Sequence, residues 1–177
     1  MNQYNARGEY IRTFGGRGAE PGQLREPHGI WMDMRTGSPI LTVADRRNNR
    51  LQRFTLDGKH IDFIGGVTLP CHFDEHKGDV VIPDLQGKVT LMDKDNRVIE
   101  HLGDAGAQSM NDLNKLRTLT RDHFTPGKFI CPHGACFDHR GNIFVVEWVE
   151  VCCALRGASF QRKGSFSPSN SQARFRP

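Results

Sequence analysis

Apolar and polar residues alternate over short runs through the first 150 positions, and turn-forming residues separate the runs. EPHGIWMD (26–33), SPILTVAD (38–45), RLQRFTLDG (50–58) and KHIDFIGG (59–66) are four such runs, the first pairing Pro with His before it runs apolar into an Asp. That period places alternate side chains on opposite faces of an extended chain, and the runs are too short for amphipathic helices. Gly, Asp or Asn stands between them, as hairpin turns require. Four strands ending in glycine therefore make one antiparallel unit.

The unit recurs. LPCHFDEH (69–76), GDVVIPD (78–84), GKVTLMDKD (87–95) and RVIEHLG (97–103) repeat the order, and CPHGACFD (131–138) with GNIFVVE (141–147) starts it again. Pro27 and Pro70 are 43 residues apart, the length of one blade of a β-propeller. From Pro70 to Pro132 the spacing is 62. The excess lies in 104–128, read as a rim insertion in which LNKLRTLTRDHF (113–124) predicts a short helix. EYIRTFGG (9–16) matches the last strand of a unit whose first three strands the chain lacks. After Val149 the alternation stops, as a truncation or a shifted reading frame would leave it. The expectation is an all-β fold: a partial propeller of about three four-stranded antiparallel blades over 1–150, fanned side by side. A Ser- and Arg-rich tail, 151–177, is expected to be disordered.

Charge refines this picture. The net charge is +4, yet residues 151–177 hold five Lys and Arg and no Asp or Glu, which leaves −1 for 1–150. The body thus lacks the basic footprint of a nucleic-acid binder. The apolar stretch 143–155 is interrupted by Glu147 and Glu150, so no membrane span is expected, and MNQYNARGEY has no apolar core of a signal peptide. The five cysteines, Cys71, Cys131, Cys136, Cys152 and Cys153, lack zinc-finger spacing and read as free thiols. Trp31 and Trp148 are expected to pack between blades, and Asp33, Asp74 and Asp138 to close turns.

ADRRNNRLQRFTLDG (44–58) closely resembles the signature of NHL-repeat propellers, in which an Asp ends one strand and Asn-Arg-apolar-Gln opens the next. EPHGIWMD and CPHGACFD further resemble the Pro-His elements of the peptidyl-α-hydroxyglycine amidating lyases, six-bladed propellers of that type. The resemblance implies that His28 and His133, on alternate blades with one blade between them and each five residues before an Asp, face the central channel as zinc ligands. It implies that Arg46 lies beside the site and holds a substrate carboxylate or carbonyl. The third Pro-His element and the catalytic Tyr of that family would fall before Met1. Where the lyases place a calcium-holding Asp, this chain has Gly134, so calcium is not expected.

His72, two residues after Pro70, is the remaining candidate ligand, reaching the channel only through a bulge. With two His ligands zinc is expected to bind weakly and any C–N lyase activity to be weak or absent; tight one-to-one zinc would point to His72. The alternative is a non-catalytic propeller that binds a protein, peptide or carbohydrate on its axial face. In either reading a peptide or small molecule is the expected axial ligand, and missing blades or self-association would close the ring. Full-length relatives of this kind would be extracellular or periplasmic.

Overall fold

The computed structural model describes residues 1–104, 106 and 110–149. The described chain is nearly all β, 45% strand and 8% helix, built of antiparallel sheets in a propeller-like fold. It divides into two compact units, Met1–Pro70 and a second beginning at Cys71. The expected tail and Cys152 and Cys153 lie outside the described residues.

In the first unit, β1 (Asn2–Tyr4) pairs antiparallel with β2 (Tyr10–Thr13). The expectation that the first three strands of this unit are missing is corrected here: Asn2–Tyr4 supplies one of them. Asn5 makes the connection, its Oδ1 accepting the N–H groups of Arg7 and Glu9. A short parallel pair follows, β3 (Gly16–Arg17) and β4 (Gln23–Leu24). Then come β5 (Pro27–Asp33), β6 (Ile40–Asp45), β7 (Arg50–Phe54) and β8 (His60–Ile64), a four-stranded sheet in chain order. The four runs read from the alternation are these four strands. The core lies where Leu24, Val43 and Phe54 meet Met1, Phe14 and Leu41. The Asp57-Gly58 hairpin closes against Phe14. Gly58 has φ +87°, and a Cβ there would stand 2.7 Å from the Phe14 ring.

The run Asn49-Arg50-Leu51-Gln52 has a physical task at each polar position. Asn49 takes a left-handed conformation, φ 52°, which Asn tolerates, and so turns β6 into β7. Arg50 Nε donates to the buried Asp45 at 2.7 Å. Gln52 is fully buried; its Oε1 accepts from Gly22 N–H and lies 2.9 Å from His60 Nδ1, while its Nε2 donates to Gln23 O. A buried amide needs such partners, and these tie the β3–β4 segment to the sheet.

In the second unit, β9 (Asp74–His76), β10 (Asp79–Asp84), β11 (Lys88–Met92) and β12 (Val98–Leu102) form another four-stranded sheet in chain order. Of the expected strand 69–76 only the last three residues are strand. β13 (Pro132–Phe137) pairs with β14 (Ile143–Glu147), and these are the strands of the third expected blade among the described residues. Val81, Val89 and Leu91 pack against Ala135 and Ile143, so the β13–β14 pair shares a core with β9–β12. Asp74 is recruited to that junction, its carboxylate accepting Phe137 N–H at 2.7 Å. Asp33 and Asp138 close their own turns, as expected, by accepting the N–H of the residue two positions on.

The insertion carries α1 (Met110–Leu116), three residues earlier than expected, and a 3-10 turn at Arg121–His123. Thr118 ends the helix by turning its hydroxyl back to Lys115 O at 2.8 Å. Among the described residues no helix is long and apolar enough to cross a membrane.

Candidate metal centre

β5 and β13 each depart from regular pairing at their proline. In β5, Pro27 pairs with Asp45 and Ile30 with Val43, so His28 and Gly29 stand against Ala44 alone. In β13, Pro132 pairs with Glu147 and Gly134 with Val146, which makes His133 the extra residue of a bulge. Bulges re-aim side chains, so simple strand parity does not decide where either imidazole points.

A carboxylate stands at the end of the neighbouring strand in both cases. Asp45 Oδ1 accepts Arg25 N–H at 2.7 Å. Glu147 Oε2 accepts Ile130 N–H at 2.6 Å and Cys131 N–H at 2.9 Å. Burial pushes the Glu147 carboxyl above its ordinary range, against those two hydrogen bonds. The chain just before each Pro-His element is thus held in place by a group paired with its proline.

The middle element shares a different mark. Glu26 and Leu69, each directly before a proline, both adopt the left-handed region, φ 51° and 53°. Few non-glycine residues do so, and a following proline normally enforces an extended conformation. By this measure Pro70 corresponds to Pro27, and Cys71, not His72, corresponds to His28.

Within the second unit, Cys71 Sγ and a ring nitrogen of His133 lie within 4.8 Å of each other. Cys71 is buried, His133 half-buried, and Cys71 N–H is anchored on Pro83 O at 2.9 Å. His133 also meets the Trp148 ring edge-on, centroids 6.1 Å apart. His72 is exposed and turns Nδ1 toward the Ala135 carbonyl, 3.3 Å away. Cys131, two residues before His133, is fully buried, and its thiol is pushed up to about 11 by desolvation, the nearby Arg117 charge opposing the rise. Such a thiol is a poor thiolate donor at neutral pH.

No family model and no curated protein matches the chain. The chemistry therefore rests on the residues themselves. A buried thiol beside an imidazole is an N/S donor pair of the kind zinc selects, and carboxylate-preferring calcium does not. Gly134 follows the bulge where Val146 stands 3.0 Å from the position of a Cβ, so the backbone approaches closely there.

His28 is exposed at the start of β5 in the first unit. Arg46 lies in the 3-10 turn Arg46–Asn48 that follows β6. Its Nη2 sits 3.1 Å from Glu26 Oε2, an oxygen shared with Arg47 Nε at 3.0 Å. Arg47 first, and then Arg46, hold the Glu26 carboxyl below its usual range. Where a forked contact to a substrate carboxylate was expected, Arg46 here donates one hydrogen bond to a carboxylate of the protein. Trp148 departs from the expectation of a residue packed between blades. It is 51% exposed because it stands just past the end of β14, and Arg117 covers its ring at 3.8 Å. Trp31 is half-buried under Arg35, 4.9 Å from the ring centre.

Cys71 is the residue that sequence reasoning missed as a donor. The available signal was positional: the residue directly after the proline is His, Cys and His in successive units. Reading Cys71 only through its solitary spacing hid that pattern.

Proposed function

We propose that this chain binds zinc through Cys71 and His133 of its second unit, as part of an NHL-type propeller similar to the amidating lyases. The observation that carries the reading is the closeness of the Cys71 thiol to the His133 imidazole. Two N/S donors leave further coordination positions open for water or a ligand, unlike the four protein donors of structural zinc sites. Zinc bound there polarises an oxygen and lowers the pKa of the group it holds.

The reaction class the resemblance implies is cleavage of a carbinolamide C–N bond. In that setting Cys71 and His133 would hold the metal, and the burial of Cys71 would keep water from its sulfur. Glu26 fixes the Arg46 guanidinium. The pair differs from the imidazoles expected from alternate blades, since one donor is sulfur.

Zinc titration of the full chain against a chromophoric chelator tests the proposal. One-to-one binding is expected, weakened at least about tenfold in Cys71→Ala and in His133→Ala, since loss of either leaves a single donor. Affinity should fall as the pH falls, because ligation requires a deprotonated thiol and a neutral imidazole. Unchanged binding in Cys71→Ala or His133→Ala would overturn the ligand pair.

A further inference from the structure

We propose that two copies of this chain pair through their two-stranded sheets, β14 of one copy joining β1 of the other to complete a four-stranded blade. The pairing is independent of zinc.

The register identifies each pair as one half of a blade. In β7–β8 a bulge precedes Phe54, which pairs with His60, and in β11–β12 a bulge precedes Met92, which pairs with Val98. In β1–β2 a bulge precedes Tyr4, which pairs with Tyr10, again six positions on. The match extends to Met1, whose carbonyl accepts Phe14 N–H at 3.0 Å. β1–β2 is therefore built as a third and fourth strand. β13–β14 is built as a first and second. Its bulge follows its proline, as in β5–β6, and β14 ends at Glu147 where β6 ends at Asp45. Among the described residues β1 pairs only with β2, and β14 only with β13.

The complete sheets show the seam that the halves would make. β6 meets β7 with Leu41 opposite Phe54 and Val43 opposite Gln52; β10 meets β11 with Val80 opposite Met92 and Ile82 opposite Thr90. With Glu147 in the place of Asp45 and Asp84, the same register sets Ile143 opposite Tyr4, Phe144 opposite Gln3 and Val145 opposite Asn2. Asn2 then holds the polar place of Gln52 and Thr90. Like them it is tied to the fourth strand, its Oδ1 accepting the Thr13 hydroxyl at 2.7 Å.

Each half leaves in water what the complete sheets bury. Phe54 and Met92 are buried, whereas Tyr4, in their place, is 58% exposed. Thr42 and Val81 are buried, whereas Phe144 is 48% exposed; Ala44 and Pro83 are buried, whereas Val146 is 64% exposed. The faces are complementary. Ile143 and Val145 pack on Val81 and Leu91, and Tyr4, opposite Ile143, would extend that face. Met1 and Phe14 pack on Leu24, Val43 and Phe54, and Phe144, opposite Gln3, would extend that one. Edge N–H and C=O groups of both strands gain partners at the same time. A second copy is the occupant because every copy carries one half of each kind. Two copies make the seam twice and close as a two-fold dimer.

Sedimentation equilibrium of the full chain should give twice the chain mass. Tyr4→Asp and Val146→Asp should each raise the dissociation constant at least about tenfold, the scale of a central interface residue, while Leu56→Asp, in the exposed β7–β8 turn, stays within about twofold. Because the seam joins unlike halves, mixing Tyr4→Asp with Val146→Asp leaves one seam intact, β14 of the first variant against β1 of the second. The mixture should therefore dimerise more tightly than either variant alone. Oxidising a mixture of Gln3→Cys and Phe144→Cys should link positions 3 and 144 between copies, found by peptide mapping, since directly opposed residues stand within disulfide reach. Circular dichroism of each variant should match the parent; if an aspartate variant misfolds, the cross-link decides. A full chain that stays monomeric, a mixture no tighter than its components, or a missing 3–144 link overturns the pairing. Growth into open-ended oligomers overturns the closed dimer.

Discussion

The sheets β5–β8 and β9–β12 have the same strand order, and each buries a carboxylate at the end of its second strand, yet they satisfy it differently. Asp45 takes Arg50 at 2.7 Å, Asn48 at 2.8 Å and the backbone of Arg25. Asp84 accepts the Thr90 hydroxyl at 2.5 Å. The register makes the comparison direct: Val43 pairs with Gln52, and Ile82 with Thr90. Gln52 and Thr90 thus occupy the same place, and each meets a histidine of the fourth strand, His60 and His101. The long Gln reaches out to the β3–β4 segment, whereas the short Thr reaches only its own sheet. The burial follows suit. Every residue of β10 from Val80 to Asp84 is buried, so little but apolar contact and short hydrogen bonds can serve there. The first sheet ties its end carboxylate to Arg50, Asn48 and the chain before the sheet, while the second buries its whole second strand around a carboxylate that takes the Thr90 hydroxyl.

The largest expected effect follows from that contrast. Asp45→Ala removes the partner of the mostly buried Arg50 and should cost about 3–5 kcal/mol in urea denaturation. Asp84→Ala takes away the carboxylate to which the buried Thr90 hydroxyl donates, and loss of that bond should cost about 1–3 kcal/mol. An equal or larger loss at Asp84 would break the comparison.

Glycine hairpins sharpen it at a smaller scale. Gly58→Ala combines φ +87° with a Cβ driven into the Phe14 ring and should cost about 1–3 kcal/mol. Gly78→Ala, with φ +90° but only Lys94 Cβ nearby at 3.3 Å, should cost less, near 1 kcal/mol, the cost of an Ala at positive φ without the clash. Thermal unfolding of the two variants side by side checks the order.

Thiol accessibility separates buried from exposed positions of the second unit. Cys136 is exposed, while Cys71 and Cys131 are buried. Timed alkylation at neutral pH with peptide mapping should modify Cys136 at least about tenfold faster, and Cys131 slowest, its thiol being raised to about 11. Fast labelling of Cys131 would contradict the packing around β13.

The smallest effect concerns acid. Asp138 closes the β13–β14 turn with Asn142 and two backbone N–H groups, which lower its carboxyl to about 2. Its folded value lies below the unfolded one, so its contribution is present above the ordinary carboxylate range and is lost as pH falls toward 2. Glu147 has the opposite sign. Its raised carboxyl favours the folded chain when protonated, and that contribution is lost as pH rises through its folded value. Denaturation between pH 2 and 6 should therefore show Asp138→Asn with a flatter acid limb, and Glu147→Gln with less loss on going from acid to neutral pH. Parallel profiles for both variants and the parent would show that neither group is linked to folding.

The sequence by itself determined the strands, their turns and their order, because these depend on local alternation and on residues that permit a turn. The four runs between Glu26 and Gly66 became four neighbouring strands, and Asp57-Gly58 became a hairpin. The candidate site was legible only in part, for the reverse reason. His133 sits on a bulge, so its direction follows from an extra residue in the pairing and not from parity. Cys71 approaches His133 across 62 positions that include the insertion, and no local pattern encodes that approach. Arg46 was legible as a cation near a Pro-His element, but that Glu26 holds it follows from the left-handed turn at Glu26 and the 3-10 turn after β6. Trp148 was legible as a large apolar residue. Its exposure, and its place between Arg117 and His133, come from the packing of an insertion against a strand end, and so belong to the tertiary structure alone.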